Sequence, residues 1–81
     1  MDNKQGITSL ADIKDGQSGI IVSIHGGRIL TKRLSDLGLN SGTEVKIIGR
    51  TLFSGPIQIE VSGSRLVIGE GLASKIMVQP K

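Results

Sequence analysis

The sequence contains no cysteine, no tryptophan and no tyrosine, and its one aromatic residue is Phe53. Without cysteine there is no disulfide framework, no thiolate metal site and no nucleophilic thiol, a composition that fits a reducing compartment. Without aromatic side chains there is no platform on which the bases of a single strand would stack. Histidine is nearly absent too. The lone His25 and carboxylates scattered over Asp2, Asp12, Asp15, Asp36, Glu44, Glu60 and Glu70 form no spaced pair or triad of the kind that acid–base or nucleophilic catalysis needs. We therefore expect no enzyme, no cofactor and no resident metal. Aliphatic runs are no longer than Ile20-Ile21-Val22, whereas a membrane-spanning helix needs roughly 18 apolar residues. The start of the chain, Met1 to Gly6, is polar and lacks the apolar stretch of a signal peptide. The expectation is a cytoplasmic protein with no membrane insertion.

The chain has 81 residues, room for one domain, and chains near this size bury only about 60–65% of the surface they expose when unfolded. A deep catalytic cleft would compete with the core for the same Ile, Leu and Val side chains. The formal net charge is +3 and the isoelectric point about 9.7, which favours encounter with anionic partners but does not name one.

Alternation of apolar and polar residues with period two dominates, and it marks five strands. The first, about Ser18 to Ile24, places Ile20, Val22 and Ile24 on one face and Ile21, Ser23 and His25 on the other. The second, Glu44 to Arg50, buries Val45 and Ile47 and exposes Glu44, Lys46 and Arg50. In the third, Pro56 to Val61, the residues Ile57, Ile59 and Val61 face inward. Ser62-Gly63-Ser64 turns the chain into a fourth strand, Arg65 to Ile68, which makes a hairpin. One helical turn within Gly69–Ser74 precedes a last strand, Ile76 to Gln79.

A single substantial helix interrupts the series, from about Arg28 to Leu37, with Leu30, Leu34 and Leu37 on one stripe. Gly38 is placed to end it in the left-handed conformation, with Leu39 folding back on Leu34. Short strands, frequent glycine turns and one inserted helix predict an all-β fold, a small SH3-like barrel of about five strands. The OB-fold differs in placing its helix between the third and fourth strands. Here that junction is Ser62-Gly63-Ser64.

Two groups of residues are candidates for binding. Arg28 and Lys32 stand four apart on the helix with Arg33 beside them, a basic side that is either a solvated face or the counterpart of an acidic surface. Leu52 and Phe53 lie between two strands, outside either alternating pattern, and either cap the barrel or form a contact patch. His25 before Gly26-Gly27 has no second ligand at metal spacing and reads as an exposed strand-end residue, and the glycine pair lacks the Lys-Ser/Thr of a phosphate loop and reads as a tight strand-to-helix turn.

Taken in order, Leu10-Ala11-Asp12-Ile13-Lys14-Asp15-Gly16-Gln17-Ser18-Gly19, Ile24-His25-Gly26-Gly27, Arg33-Leu34-Ser35-Asp36-Leu37-Gly38-Leu39 with Gly42-Thr43-Glu44-Val45, Gly55-Pro56-Ile57 and Leu66-Val67-Ile68-Gly69 resemble the FeoA family. The resemblance covers about residues 8–79, and its most specific stretch runs from Arg33 to Val45, supported by Gly55-Pro56 and Ala73. It implies a flexible N-terminus over 1–7 and an SH3-like barrel over 8–81. It also implies a role in iron homeostasis, a small cytosolic accessory protein that binds the ferrous-iron transporter FeoB, whose cytosolic GTP-hydrolysing domain is a natural docking candidate. Arg28, Lys32, Arg33, Leu52 and Phe53 are the residues we expect at that contact; a homo-oligomer remains open. The same barrel forms the C-terminal domain of metal-dependent repressors, but this chain has no room for their winged helix. Two further readings are a nucleic-acid-binding barrel and a direct Fe(II) binder. The first lacks stacking residues, and the second lacks carboxylates with fixed geometry.

Overall fold

The computed structural model describes residues 6–50 and 55–81. The elements follow in the order β1 (Thr8–Ser9), a 3₁₀ turn (Leu10–Asp12), β2 (Ser18–Ile24), α1 (Gly27–Asp36), β3 (Glu44–Arg50), β4 (Ile57–Val61), β5 (Ser64–Ile68), α2 (Glu70–Ala73) and β6 (Ile76–Pro80). All pairings are antiparallel, and the spatial order is β1-β6-β2-β3-β4-β5. Five strands and the helix lie where the period-two and helical patterns place them. The sixth, β1, is two residues long and pairs Thr8 with Val78 and Ser9 with Met77. So short a strand carries no periodicity of its own. Of the N-terminus expected to be flexible over 1–7, residues 1–5 lie outside the described residues, as do Leu52 and Phe53.

The sheet bends around one aliphatic core. Ile57, Ile59 and Val61 of β4, Val45 and Ile47 of β3, and Ile76 and Val78 of β6 are all buried there with Leu10, Ile13, Ile21, Leu34 and Leu39. Among the described residues no polar or charged side chain is buried with them, so the side chains packed there contribute through apolar burial. Of the two faces of β2, the one carrying Ile21 goes inward, while Val22 stands exposed at a register shift between Ile21 and Ser23. A second shift, between Ile47 and Gly49, leaves Ile48 without a partner in β4. Such bulges increase local bend and twist, which a sheet of this size needs to curl onto itself.

The β4–β5 hairpin turns on Ser62 (φ 52°) and Gly63 (φ 81°), with Val61 opposite Ser64. Positive φ at both central positions is what a two-residue type I′ turn requires. Gly19 serves differently: a Cβ there would stand 3.2 Å from the Gln79 carbonyl oxygen and 3.2 Å from the Val78 side chain, so its missing side chain lets β2 lie close to β6.

Helix α1 stops as its sequence demands. Leu39 N–H donates to Leu34 O at 2.8 Å and Gly38 N–H to Ser35 O at 2.9 Å, with Gly38 at φ +91°, the paired bonds of a Schellman stop. Leu34 and Leu39 are both buried. Leu37, expected on the apolar stripe, is instead exposed: it is the residue that caps the helix, at φ −90° and ψ 0°, and the chain has already left the helical path there.

Arg50 also departs from the sequence reading, which exposed it. Its guanidinium donates to Asp15 Oδ1 at 2.6 Å, to Ala11 O at 2.8 Å and to Ile13 O at 3.0 Å. The bulge at Ile48 changes the alternation along β3, so Arg50 folds against the segment that follows the 3₁₀ turn instead of pointing to water.

Candidate functional site

The helix that carries the candidate cations is held to the barrel by one side. Leu34 is buried and Leu30 packs partly against the core, which leaves Arg28, Ile29, Lys32, Arg33 and Asp36 exposed. Ile29 is 80% exposed, the most open of the large apolar side chains among the described residues. It shares one short helix with three cations, Arg28, Lys32 and Arg33.

Next to α1 runs an open groove of about 880 Å³. On the helix it is lined by Gly27, Thr31 and Ser35, small residues four apart, with Arg28, Lys32 and Asp36 beside them. Away from the helix it is lined by Ile24 at the end of β2 and by the Leu39-Asn40-Ser41 turn. The Thr31 hydroxyl is tied to Gly27 O at 2.8 Å, and Ser41 Oγ reaches Val22 O at 3.4 Å. The structure thus brings Arg28 and Lys32 to the edge of the same groove. Arg33 is on the helix but does not line it.

The electrostatics are simple. Lys32 Nζ lies 3.7 Å from Asp36 Oδ2, and both side chains are largely exposed, a pair contributing a few tenths of a kcal/mol at most. Among the described residues no carboxylate comes within ion-pairing distance of Arg28 or Arg33. The N-terminus of α1 has no side-chain cap and no acidic residue in its first turn, so the positive end of the helix dipole adds to the same field.

His25 stands one residue beyond β2, exposed, with its backbone N–H donating to Lys75 O at 2.8 Å. Gly27, at φ +77° with nothing within 4 Å of where a Cβ would sit, makes the turn from strand to helix. Among the described residues no group of three or more His, Cys, Asp or Glu side chains is placed to hold a metal ion. A second, smaller groove of about 300 Å³ is lined by Ile48, Gly49, Arg50, Pro56, Gln58 and Val67. Sequence reasoning missed both grooves, because each joins residues from elements far apart in the chain.

The FeoA-domain profile matches residues 8–80. The chain belongs to the FeoA family. A curated relative from Methanocaldococcus jannaschii, named "Putative Fe(2+) transport protein A", is 40% identical over 70 residues, 86% of this chain and 83% of its own. The crystal structure of an iron uptake regulatory protein, FeoA, superposes with a TM-score of 0.84 at 35% identity, covering 93% of this chain and 97% of that one.

Two more distant structures share the fold alone. One is the Stenotrophomonas maltophilia FeoA complexed with zinc, described as a prokaryotic SH3-domain protein, with a TM-score of 0.78, 20% identity and coverage of 91% and 95%. The other is a manganese-dependent transcriptional repressor, with a TM-score of 0.81 and 18% identity, in which the likeness covers 93% of this chain but 42% of that one. The expected SH3-like barrel is therefore the fold observed, with six strands where five were read. FeoA chains are transport accessory proteins, and among the described residues of this one no helix is long and apolar enough to cross a membrane.

Proposed function

We propose that this chain is a cytosolic accessory protein of ferrous-iron uptake that binds the cytosolic region of a FeoB-type transporter and modulates its activity or assembly. The observation that carries the reading is the FeoA match over nearly the whole chain, in a molecule whose groove beside α1 is open, uncharged along its small-residue stripe and basic at its edge. Such a surface suits a macromolecular contact better than a small-molecule reaction, which needs convergent titratable groups. Ferrous iron is the cargo of the system and not a resident of this chain.

The proposed contact comprises Arg28, Lys32 and Arg33 on α1, and Leu52 and Phe53 between β3 and β4. Phe53 is included because a small interface commonly centres on an aromatic anchor and this chain has one aromatic residue. A pull-down against the cytosolic region of FeoB, repeated with the full transporter in detergent, tests the reading. Capture of either at physiological salt is the expected result. Failure to capture both, at low as well as physiological salt, rules it out.

A further inference from the structure

We infer that the groove beside α1 receives an acidic segment of a partner protein, with one apolar side chain of that segment seated against Ile29 and Ile24. The inference rests on the reading of this chain as a partner-binding accessory protein, and it specifies the chemistry of what is bound.

Charge selects the partner. On α1 the groove is lined by Arg28 and Lys32 against the single carboxylate of Asp36, Arg33 stands on the same helix outside the groove, and the uncapped helix start adds positive potential at the Arg28 end. The Lys32–Asp36 contact, at 3.7 Å between two largely exposed side chains, yields readily to a carboxylate brought from outside. Shape selects the form. Gly27, Thr31 and Ser35 present almost no side-chain bulk, so another backbone can approach α1 closely, and Thr31 has already turned its hydroxyl onto Gly27 O. Ile29, 80% exposed at this edge, offers the apolar area that a purely ionic contact would leave unused.

A second copy of this chain is a poor occupant, because a two-fold contact through α1 would set the three cations against themselves. A single strand of nucleic acid is a poor one as well. Three cations without aromatic neighbours give weak binding, and Ile29 would gain nothing from phosphates.

The test uses the full chain and synthetic helical peptides of one length. The first carries glutamates on one side and a single leucine, the second replaces glutamate with glutamine, and the third replaces the leucine with serine. An oligothymidylate serves as the polyanion control. Chemical-shift mapping is expected to place the first peptide on Ile24, Gly27 to Asp36 and Leu39 to Ser41, with affinity falling about fivefold or more from low to physiological salt. The glutamine and serine peptides should each bind at least about tenfold more weakly, a loss typical of removing a central anchor or its charge partner. Arg28→Glu with Lys32→Glu should abolish the shifts, and Ser35→Trp should fill the groove and do the same, with thermal melts confirming that both variants fold.

Shifts on another face, equal binding of the glutamine peptide, tighter binding of the oligothymidylate or no binding at all would overturn the inference. Should Ser35→Trp fail to fold, the charge-reversal pair still decides it. The two readings separate cleanly. If the transporter is not captured but the acidic peptide maps to the groove, the groove stands and the transporter falls. If the transporter is captured equally by Arg28→Glu/Lys32→Glu and by Ser35→Trp, the groove falls and the transporter stands.

Discussion

Arg50 Nη1 stands 2.6 Å from Asp15 Oδ1, joining the end of β3 to a loop thirty-five positions earlier. The same guanidinium holds the carbonyls of Ala11 and Ile13. One planar fork therefore fixes the segment that leads from the 3₁₀ turn into β2. Because the Arg50 side chain is 25% exposed and that of Asp15 57%, the two partners should differ in importance. Arg50→Ala is expected to destabilise the fold by about 1–3 kcal/mol, since it leaves two carbonyls without their charged donor. Asp15→Asn should cost no more than about 1 kcal/mol, as for a half-exposed ion pair. Arg50→Lys should recover little, because an ammonium cannot span all three acceptors in one plane. Urea melts of the three variants measure the order.

Gly38→Ala and Gly38→Val test the helix stop. A Cβ at Gly38 would meet nothing nearer than Val61 Cγ1 at 3.8 Å, so there is room for a side chain. The penalty must come from the backbone at φ +91°, about 1–2 kcal/mol for a residue with a Cβ and more for a β-branched one. Thermal unfolding should rank Gly38 above Asn, Ala and Val in that order. Equal stability of all four would show that the left-handed conformation is not required.

Gly19 presents the opposite case. It is not among the glycines at positive φ, and its neighbours leave no room: the Gln79 carbonyl and Val78 side chain would both lie 3.2 Å from a Cβ. Gly19→Ala should therefore cost about 1 kcal/mol and Gly19→Val about 2–3 kcal/mol, through overpacking between β2 and β6. Denaturant midpoints measure the loss. Hydrogen exchange should locate it at the Gly19–Pro80 and Ile20–Gln79 pairings.

Charge reversal on α1 and truncation of Phe53 address association instead of stability. Arg28→Glu with Lys32→Glu should leave the melting temperature nearly unchanged, because both side chains are exposed and exposed charges contribute little to folding. It should weaken capture of the transporter's cytosolic region, with a larger effect at low salt than at high salt. Phe53→Ser should weaken the same capture or iron-uptake complementation while the protein stays folded. If Phe53→Ser unfolds the chain, Phe53 is part of the barrel and not an anchor.

The sequence alone determined the elements whose signal is local. Alternating β-branched residues placed β2, β3 and β4, because a strand's side chains alternate whatever lies beyond it. The Gly38 stop was legible for the same reason: left-handed φ is a property of one residue and its bonds reach back only to Leu34 and Ser35. The family could be read because these local signals recur in a fixed order along the chain. What only the tertiary structure decided depends on residues distant in sequence. The two-residue β1 exists because β6 offers it partners, and Arg50 turns inward because a bulge at Ile48 reverses the alternation that had predicted its exposure. The groove edge joins Arg28 and Lys32 to Ile24, Asn40 and Ser41, a meeting that no periodicity encodes, since it is set by how α1 comes to rest on the barrel through Leu30 and Leu34.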